Sequence, residues 1–318
     1  MEHADVSYAV PVLATRFSSS SHPETARLFA YSKESCDRSL KELSEPDPVS
    51  HNGAFAACGG LYASWVYPGG NMERLKIVAD FYSAWVFIDD LIDNTTDMSY
   101  VSDLLDTLQA RVAGSPQGNQ GFDFMHRLFT HTGWHPEALR LTKVEMDRWV
   151  ECTVALRAIE AEQRAVSVEE YLVYRQTNAA MGMMYLVMAF SMPELTGEFL
   201  RFNEASPDVL RRVFSYCGIS MGVVLDLYKL NADHAQICEY SHIAKIIERA
   251  SPTPLSLPEA VDRSMEIFHE YEDKLAIELD QVAAFSPALA RAMEKVHAGS
   301  IVWLEVMRGG RYVKKMDA

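Results

Sequence analysis

The stretch "FYSAWVFIDDLIDN", residues 81–94, places three aspartates, Asp89, Asp90 and Asp93, inside one of the most apolar and aromatic runs of the chain. On a helix, positions i and i+4 share a face and i+1 lies about 100° away. Asp89 and Asp93 therefore stack one turn apart, with Asp90 flanking them. Phe81 and Trp85 continue the same face toward the N-terminus. That face is aromatic below and acidic above, which suits a pocket with an apolar floor and a charged mouth. Carboxylates are costly to bury without compensation, and three of them close together repel. A divalent cation offsets the repulsion, and hard oxygen ligands favour Mg²⁺, which keeps several waters and often bridges to phosphate oxygens. The same residues also read as a helix end with solvated acids, because Asn94 and Thr95 follow.

Outward from this stretch, helical spacing dominates. Apolar residues recur three and four apart, as in "LTKVEMDRWVECTVALRAIEAE", residues 141–162. The spacing predicts helices near 23–42, 53–66, 70–95, 98–112, 122–132, 136–162, 167–190, 207–235, 238–249, 257–284 and 286–309. Turn residues mark the breaks, as in "SEPDPVSHNG" (44–53), "AGSPQGNQG" (113–121) and "ASPTPLSLP" (250–258). Strand alternation is scarce. Its best candidate, "YAVPVLATRF" (8–17), contains a proline and reads as a partly extended arm within residues 1–22. No repeat is visible, and no linker is long enough to separate domains. The expected fold is all-α, a single domain over residues 1–318 built from ten to twelve helices.

Composition narrows the function. The formal net charge of −15 argues against nucleic-acid binding, which needs a basic stripe. The hydrophobic fraction of 48% and charged fraction of 23% are those of an ordinary globular chain. The five cysteines, Cys36, Cys58, Cys152, Cys217 and Cys238, are scattered and form no CxxC pair, which fits reduced thiols. No 18-residue apolar run predicts a membrane span. The opening residues lack the basic and apolar regions of a signal peptide, so the expected location is cytoplasmic.

DDxxD after an aromatic helix in an all-α chain resembles the class I terpene synthase (terpene cyclase) family, in its microbial single α-domain form. The resemblance covers nearly the whole chain. It implies a helical bundle around an apolar cavity, with Mg²⁺ on Asp89, Asp90 and Asp93. "YLVYRQTN" (171–178) resembles the stretch carrying a diphosphate-sensing arginine, here Arg175. "GGRYV" (309–313) resembles the C-terminal pair that contacts diphosphate, here Arg311 and Tyr312, within a tail over 309–318. Trp303 upstream is also typical. Relatives are often dimers, so the implied assembly includes a homodimer.

The second metal motif of that family, Asn-Asp-x-x-Ser-x-x-x-Glu, falls on "LDLYKLNAD" (225–233). Its metal-binding positions become Leu225, Lys229 and Asp233. Leucine cannot ligate a metal, and an ammonium is donor-only. Lys229 then places a fixed charge where the family holds an ion, with Asp226 and Asp233 expected to hold the lysine in place. Fewer than three Mg²⁺ are expected. A register shift, with Glu239 supplying a ligand, is the competing reading. The glycine that relatives often carry after the sensing arginine is also missing: Asn178, Ala179 and Ala180 stand there, and alanine favours an unbroken helix by about 1 kcal/mol over glycine.

The implied activity is Mg²⁺-dependent ionisation of an allylic prenyl diphosphate, with farnesyl diphosphate suggested by domain size. The cation then cyclises to a hydrocarbon or alcohol. Arg175, Lys229, Arg311 and Tyr312 are the expected diphosphate contacts. Phe81 and Trp85 line the cation's pocket, with Met183, Met184 and Met188 as candidates for the opposite wall. Gly218 and Gly222 either leave room for substrate or allow close helix packing. The alternatives are a terpenyl transferase that delivers the cation to a second small-molecule nucleophile such as an amine, and a non-catalytic diphosphate-binding relative. A chain-elongating prenyltransferase would carry a second aspartate-rich motif, which this chain lacks. The histidines of "HTGWH" (131–135) read as structural.

Overall fold

A computed structural model of the chain describes residues 13–43, 54–93, 95–115, 123–230, 239–251, 253 and 255–311. Among these residues the regular structure is entirely α-helical. In chain order the helices are α1 (Thr25–Leu43), α2 (Ala54–Val66), α3 (Met72–Asp93), α4 (Met98–Ala113), α5 (Asp123–Phe129), α6 (Pro136–Ala161) and α7 (Val168–Asn178). Then come α8 (Met181–Ser191), α9 (Pro193–Ala205), α10 (Pro207–Lys229), α11 (Ile243–Ala250), α12 (Leu257–Phe285) and α13 (Pro287–Arg311). None is long and apolar enough to cross a membrane.

Local chemistry sets several ends. Asp97 caps α4 by accepting from Ser99 N and Tyr100 N, and Gly114 closes it in the left-handed conformation that suits glycine. Ser167 caps α7. Ser256 and Glu259 form a reciprocal capping box at α12, with Pro258 in its first turn. His135 caps α6, and His131 accepts from Gly133 N at 2.9 Å, so both histidines of "HTGWH" shape a helix connection.

The described residues form thirteen helices where ten to twelve are expected. Helix α10 stops at Lys229 and α11 starts at Ile243 rather than 238, and two features account for the extra helices. The run 167–190 is two helices, because Ala180 takes a left-handed φ of 57° between α7 and α8. Tertiary bonds override the helix preference of the alanines. Trp149 Nε1 donates to Asn178 O at 3.0 Å and Asn178 Nδ2 donates to Thr153 Oγ1 at 3.1 Å, which anchors the end of α7 on α6. The second is α9, which the sequence spacing passes over. Pro193 in its first turn and Glu194 behind it are the start signals, and Gly197 in its interior blunts the pattern.

The core is continuous, and α10 runs through it, packed against α7, α8, α12 and α13. The approach of α7 depends on two glycines of α10. A Cβ at Gly218 would overlap Gln176 O, and one at Gly222 would stand 3.0 Å from Arg175 Cβ. These glycines therefore serve close packing, and Gly222 clears the space that the Arg175 side chain fills. On the far side, the arm before α1 crosses α12 and α13. Leu13 is buried, Thr15 Oγ1 donates to Glu272 Oε1 at 2.5 Å, and Lys295 Nζ donates to Ser18 O at 2.8 Å.

Candidate active site

The last turns of α3 carry Asp89 and Asp93 into a polar pocket of about 60 Å³. Opposite them, the last residue of α10, Lys229, donates from Nζ to Asp93 Oδ2 at 2.6 Å and lies 3.5 Å from Asp89 Oδ2. Burial opposes a charge on this lysine. Asp93 and Asp89 outweigh the burial and raise the ammonium above the usual lysine range, so it stays protonated.

Arg175 enters from α7. Its Nη2 pairs with Asp226 Oδ1 and donates to Gly222 O at 3.1 Å, and its Nη1 donates to Asn178 Oδ1. Asp226 is saturated: its Oδ2 accepts from Tyr171 OH at 2.6 Å and from Ile243 N at 3.0 Å. His242 Nε2 meets Asp226 O at 2.8 Å. Burial lowers the affinity of His242 for a second proton, so the neutral ring donates through Nε2. This network ties α7, α10 and the start of α11 to one guanidinium.

The expectation that Asp226 holds Lys229 is corrected by this geometry. The two residues are three apart on α10, which turns them about 60° around the helix. Asp226 faces α7 and Lys229 faces α3. The other expected holder, Asp233, lies outside the described residues, as do Tyr312 and the side chains of Asp90 and Arg311; the backbone of Arg311 ends α13.

Below the polar pocket lies a cavity of about 80 Å³ walled by Tyr62, Tyr82, Trp85, Met181, Met184, Met221 and Trp303. Asp89, Asn178, Leu225 and Lys229 line both spaces, so the charged mouth and the aromatic floor meet there. Trp85 packs against Trp149 at a tilt of 51° with centroids 4.2 Å apart, and Tyr62 meets Trp303 edge-on at 5.0 Å. Phe81 does not line the cavity; it is fully buried behind Trp85, against Phe129. The reason is helical drift, since each i+4 step rotates about 40°, and two steps carry Phe81 away from the face of Asp89. Met183 and Met188 are core residues, and of the three expected methionines only Met184 reaches the cavity.

Arg157 is a site residue that the sequence reading passes over. It lies on α6, 4% exposed, lines the polar pocket and donates to Thr95 O at 2.5 Å, just beyond Asp93. Its only sequence signal is an i+4 relation to Thr153 on an otherwise ordinary amphipathic helix.

The donor set can be tested against a divalent metal. On α3, two accessible carboxylates one turn apart fit a hard cation. On α10, Leu225 and Lys229 offer no lone pair, and that side does not fit. Among the described residues no group of three or more His, Cys, Asp or Glu side chains is placed to hold an ion.

Comparison with known proteins follows the same lines. The profile described as "Terpene synthase family 2, C-terminal metal binding" matches residues 80–274, which hold every described residue of the polar pocket. No curated protein matches the sequence. Hedycaryol synthase in complex with nerolidol superposes with a TM-score of 0.74 at 14% identity, over 93% of this chain and 100% of that one. The SVS_A2 protein from ancestral sequence reconstruction gives 0.79 at 14%, over 98% and 93%. Germacradien-4-ol synthase from Streptomyces citricolor gives 0.69 at 18%, over 92% and 97%. At such identities the likeness is one of fold.

Proposed function

The chain belongs to terpene synthase family 2, and we propose that it ionises an allylic prenyl diphosphate, farnesyl diphosphate by the size of the domain, and cyclises the resulting cation to a terpene. The observation that carries this reading is the junction of the two spaces. Asp89, Asn178, Leu225 and Lys229 border both a charged pocket and an aromatic cavity, as a substrate with an anionic head and a hydrocarbon tail requires.

Cleavage of the carbon–oxygen bond places growing negative charge on the leaving diphosphate. Groups that bind this charge more strongly in the transition state than in the ground state accelerate the step. Arg175 is fixed by Asp226, Asn178 and Gly222 before any ligand arrives, so it stabilises the leaving group with little reorganisation. Lys229 adds a point charge on a flexible stem. Arg311 and Tyr312 are proposed as further diphosphate contacts. Asp89, Asp90 and Asp93 are the proposed holders of Mg²⁺, with Asp233 as a further ligand. Bound there, Mg²⁺ supplies Lewis-acid neutralisation of the diphosphate oxygens. The misfit of Leu225 and Lys229 supports fewer than three ions.

The cation left behind is kept from water by the cavity wall. The rings of Tyr62, Tyr82, Trp85 and Trp303 attract it by roughly 0.5–2 kcal/mol each.

The test is incubation with geranyl, farnesyl and geranylgeranyl diphosphate and Mg²⁺, with mass analysis of products and assay of released diphosphate. A terpene from one substrate, lost in Asp89→Ala, is the expected result. Product that forms only when an amine-rich extract is added marks a terpenyl transferase instead. No diphosphate release with any substrate overturns catalysis altogether.

A further inference from the structure

Asp89 and Asp93 already face a cation. Lys229 bridges Asp93 Oδ2 at 2.6 Å and Asp89 Oδ2 at 3.5 Å, and it does so from another helix. The three side chains are only 15%, 19% and 31% exposed, so water screens the contact poorly. The remaining charges of the pocket are engaged as well. Arg175 pairs with Asp226, and Arg157 donates to Thr95 O. Among the described residues, three acids and three permanently charged bases line the pocket, beside the neutral His242, so their formal charges balance.

A divalent ion approaching Asp89 and Asp93 meets an ammonium that repels it and already faces one oxygen of each carboxylate. An anion has the opposite effect. Diphosphate offers several charged oxygens to the same ammonium, in charge-assisted bonds of the kind it makes with Asp93 and Asp89, and a metal on the freed carboxylates favours the exchange. Lysine's four-carbon stem lets Nζ move from the carboxylates to such a ligand without moving α10.

Resting on the reading above, we propose that Lys229 is a resident counter-ion of the Asp89–Asp93 pair, which holds divalent metal off these carboxylates until diphosphate draws the ammonium away. Metal and diphosphate are thereby coupled through one side chain. By linkage, the factor by which one tightens the other is reciprocal. Replacing the ammonium with an isosteric apolar group frees the acids, so the variant gains metal affinity, and a misfolded protein does not mimic that gain.

The experiment titrates Mn²⁺ alone into the full chain, counting bound ions by electron paramagnetic resonance. It compares the wild type with Lys229→Met, Lys229→Arg and the double variant Lys229→Met with Asp93→Asn. Lys229→Gln replaces the methionine variant if circular dichroism shows that the latter does not fold. The expected result is a gain of roughly tenfold to a hundredfold in Mn²⁺ affinity for Lys229→Met, the scale of a lost charged hydrogen bond. Lys229→Arg stays near the wild type, and the double variant loses the gain. Equal affinity in wild type and Lys229→Met overturns the proposal, as does a gain that survives Asp93→Asn. Turnover of prenyl diphosphates by the wild type is assayed in parallel: wild-type turnover without the gain in Lys229→Met sinks only the counter-ion, and the gain without wild-type turnover sinks only the catalytic reading.

Discussion

Arg175 of α7 and Asp226 of α10 form an ion pair with side chains only 8% and 4% exposed. The carboxylate is completed by Tyr171 OH and Ile243 N, and the guanidinium by Asn178 Oδ1 and Gly222 O. A pair this buried adds little net stability while intact, but removing one partner strands the other. Asp226→Ala is expected to lower unfolding free energy by about 3–5 kcal/mol, measured by urea denaturation. It should also remove most turnover, because Arg175 loses its fixed position. Tyr171→Phe deletes one bond of the same network and should cost only about 1–2 kcal/mol.

The spacing of α7 and α10 depends on Gly218. Its substitution by alanine drives a methyl group into Gln176 O, a backbone atom that cannot swing aside. Gly218→Ala is expected to cost about 1–3 kcal/mol. Thermal denaturation measures it, and an unchanged midpoint would contradict the packing described.

Ala180 stores strain where the cavity wall turns. Its φ of 57° is one that an L-residue adopts at a cost of about 1 kcal/mol or more, and glycine adopts it freely. Ala180→Gly is expected to raise stability by about 1 kcal/mol, whereas Ala180→Val should lower it by more. Equal midpoints for both variants would refute the assignment.

A pH dependence follows from His297, which is fully buried on α13 with Nε2 2.9 Å from Glu272 Oε1 and Nδ1 3.3 Å from Cys217 Sγ. Burial opposes the imidazolium, but Cys217 and Glu272 outweigh it and push its pKa up to about 9. A pKa raised above the unfolded value of about 6.5 gives stability that is full below that value and lost as pH climbs through the folded pKa. Glu272 is held below the usual carboxylate range, despite its burial, by bonds from His297 and Thr15, so its contribution is lost on the acid side. Urea midpoints should therefore fall between pH 6.5 and 9, and His297→Gln should flatten that fall.

Much of the fold is legible in the sequence because helical periodicity is a local property. The 22-residue pattern at 141–162 needs no partner to be read, and α6 follows it. What escaped reading is decided by contacts between distant residues. Nothing local breaks the helix at Ala180; Trp149 and Thr153, on another helix, do. Arg157 resembles any exposed helical arginine until α6 packs against the segment beyond Asp93. The composition of the site is half legible in the same sense. The acids of residues 89–93 and the odd lysine at 229 announce themselves. That they answer each other, 136 residues apart, belongs to a fold that sets the end of α10 across the pocket from the end of α3.

The arm of residues 13–18 has a kinetic consequence. Its bonds to Glu272, Lys295 and Glu305 close loops of more than 250 residues. The arm makes these bonds only once α12 and α13 are in place. Contacts of such separation make folding slow. The docking of the arm is thus a late step of folding, and until it happens an apolar flank stays open to aggregation.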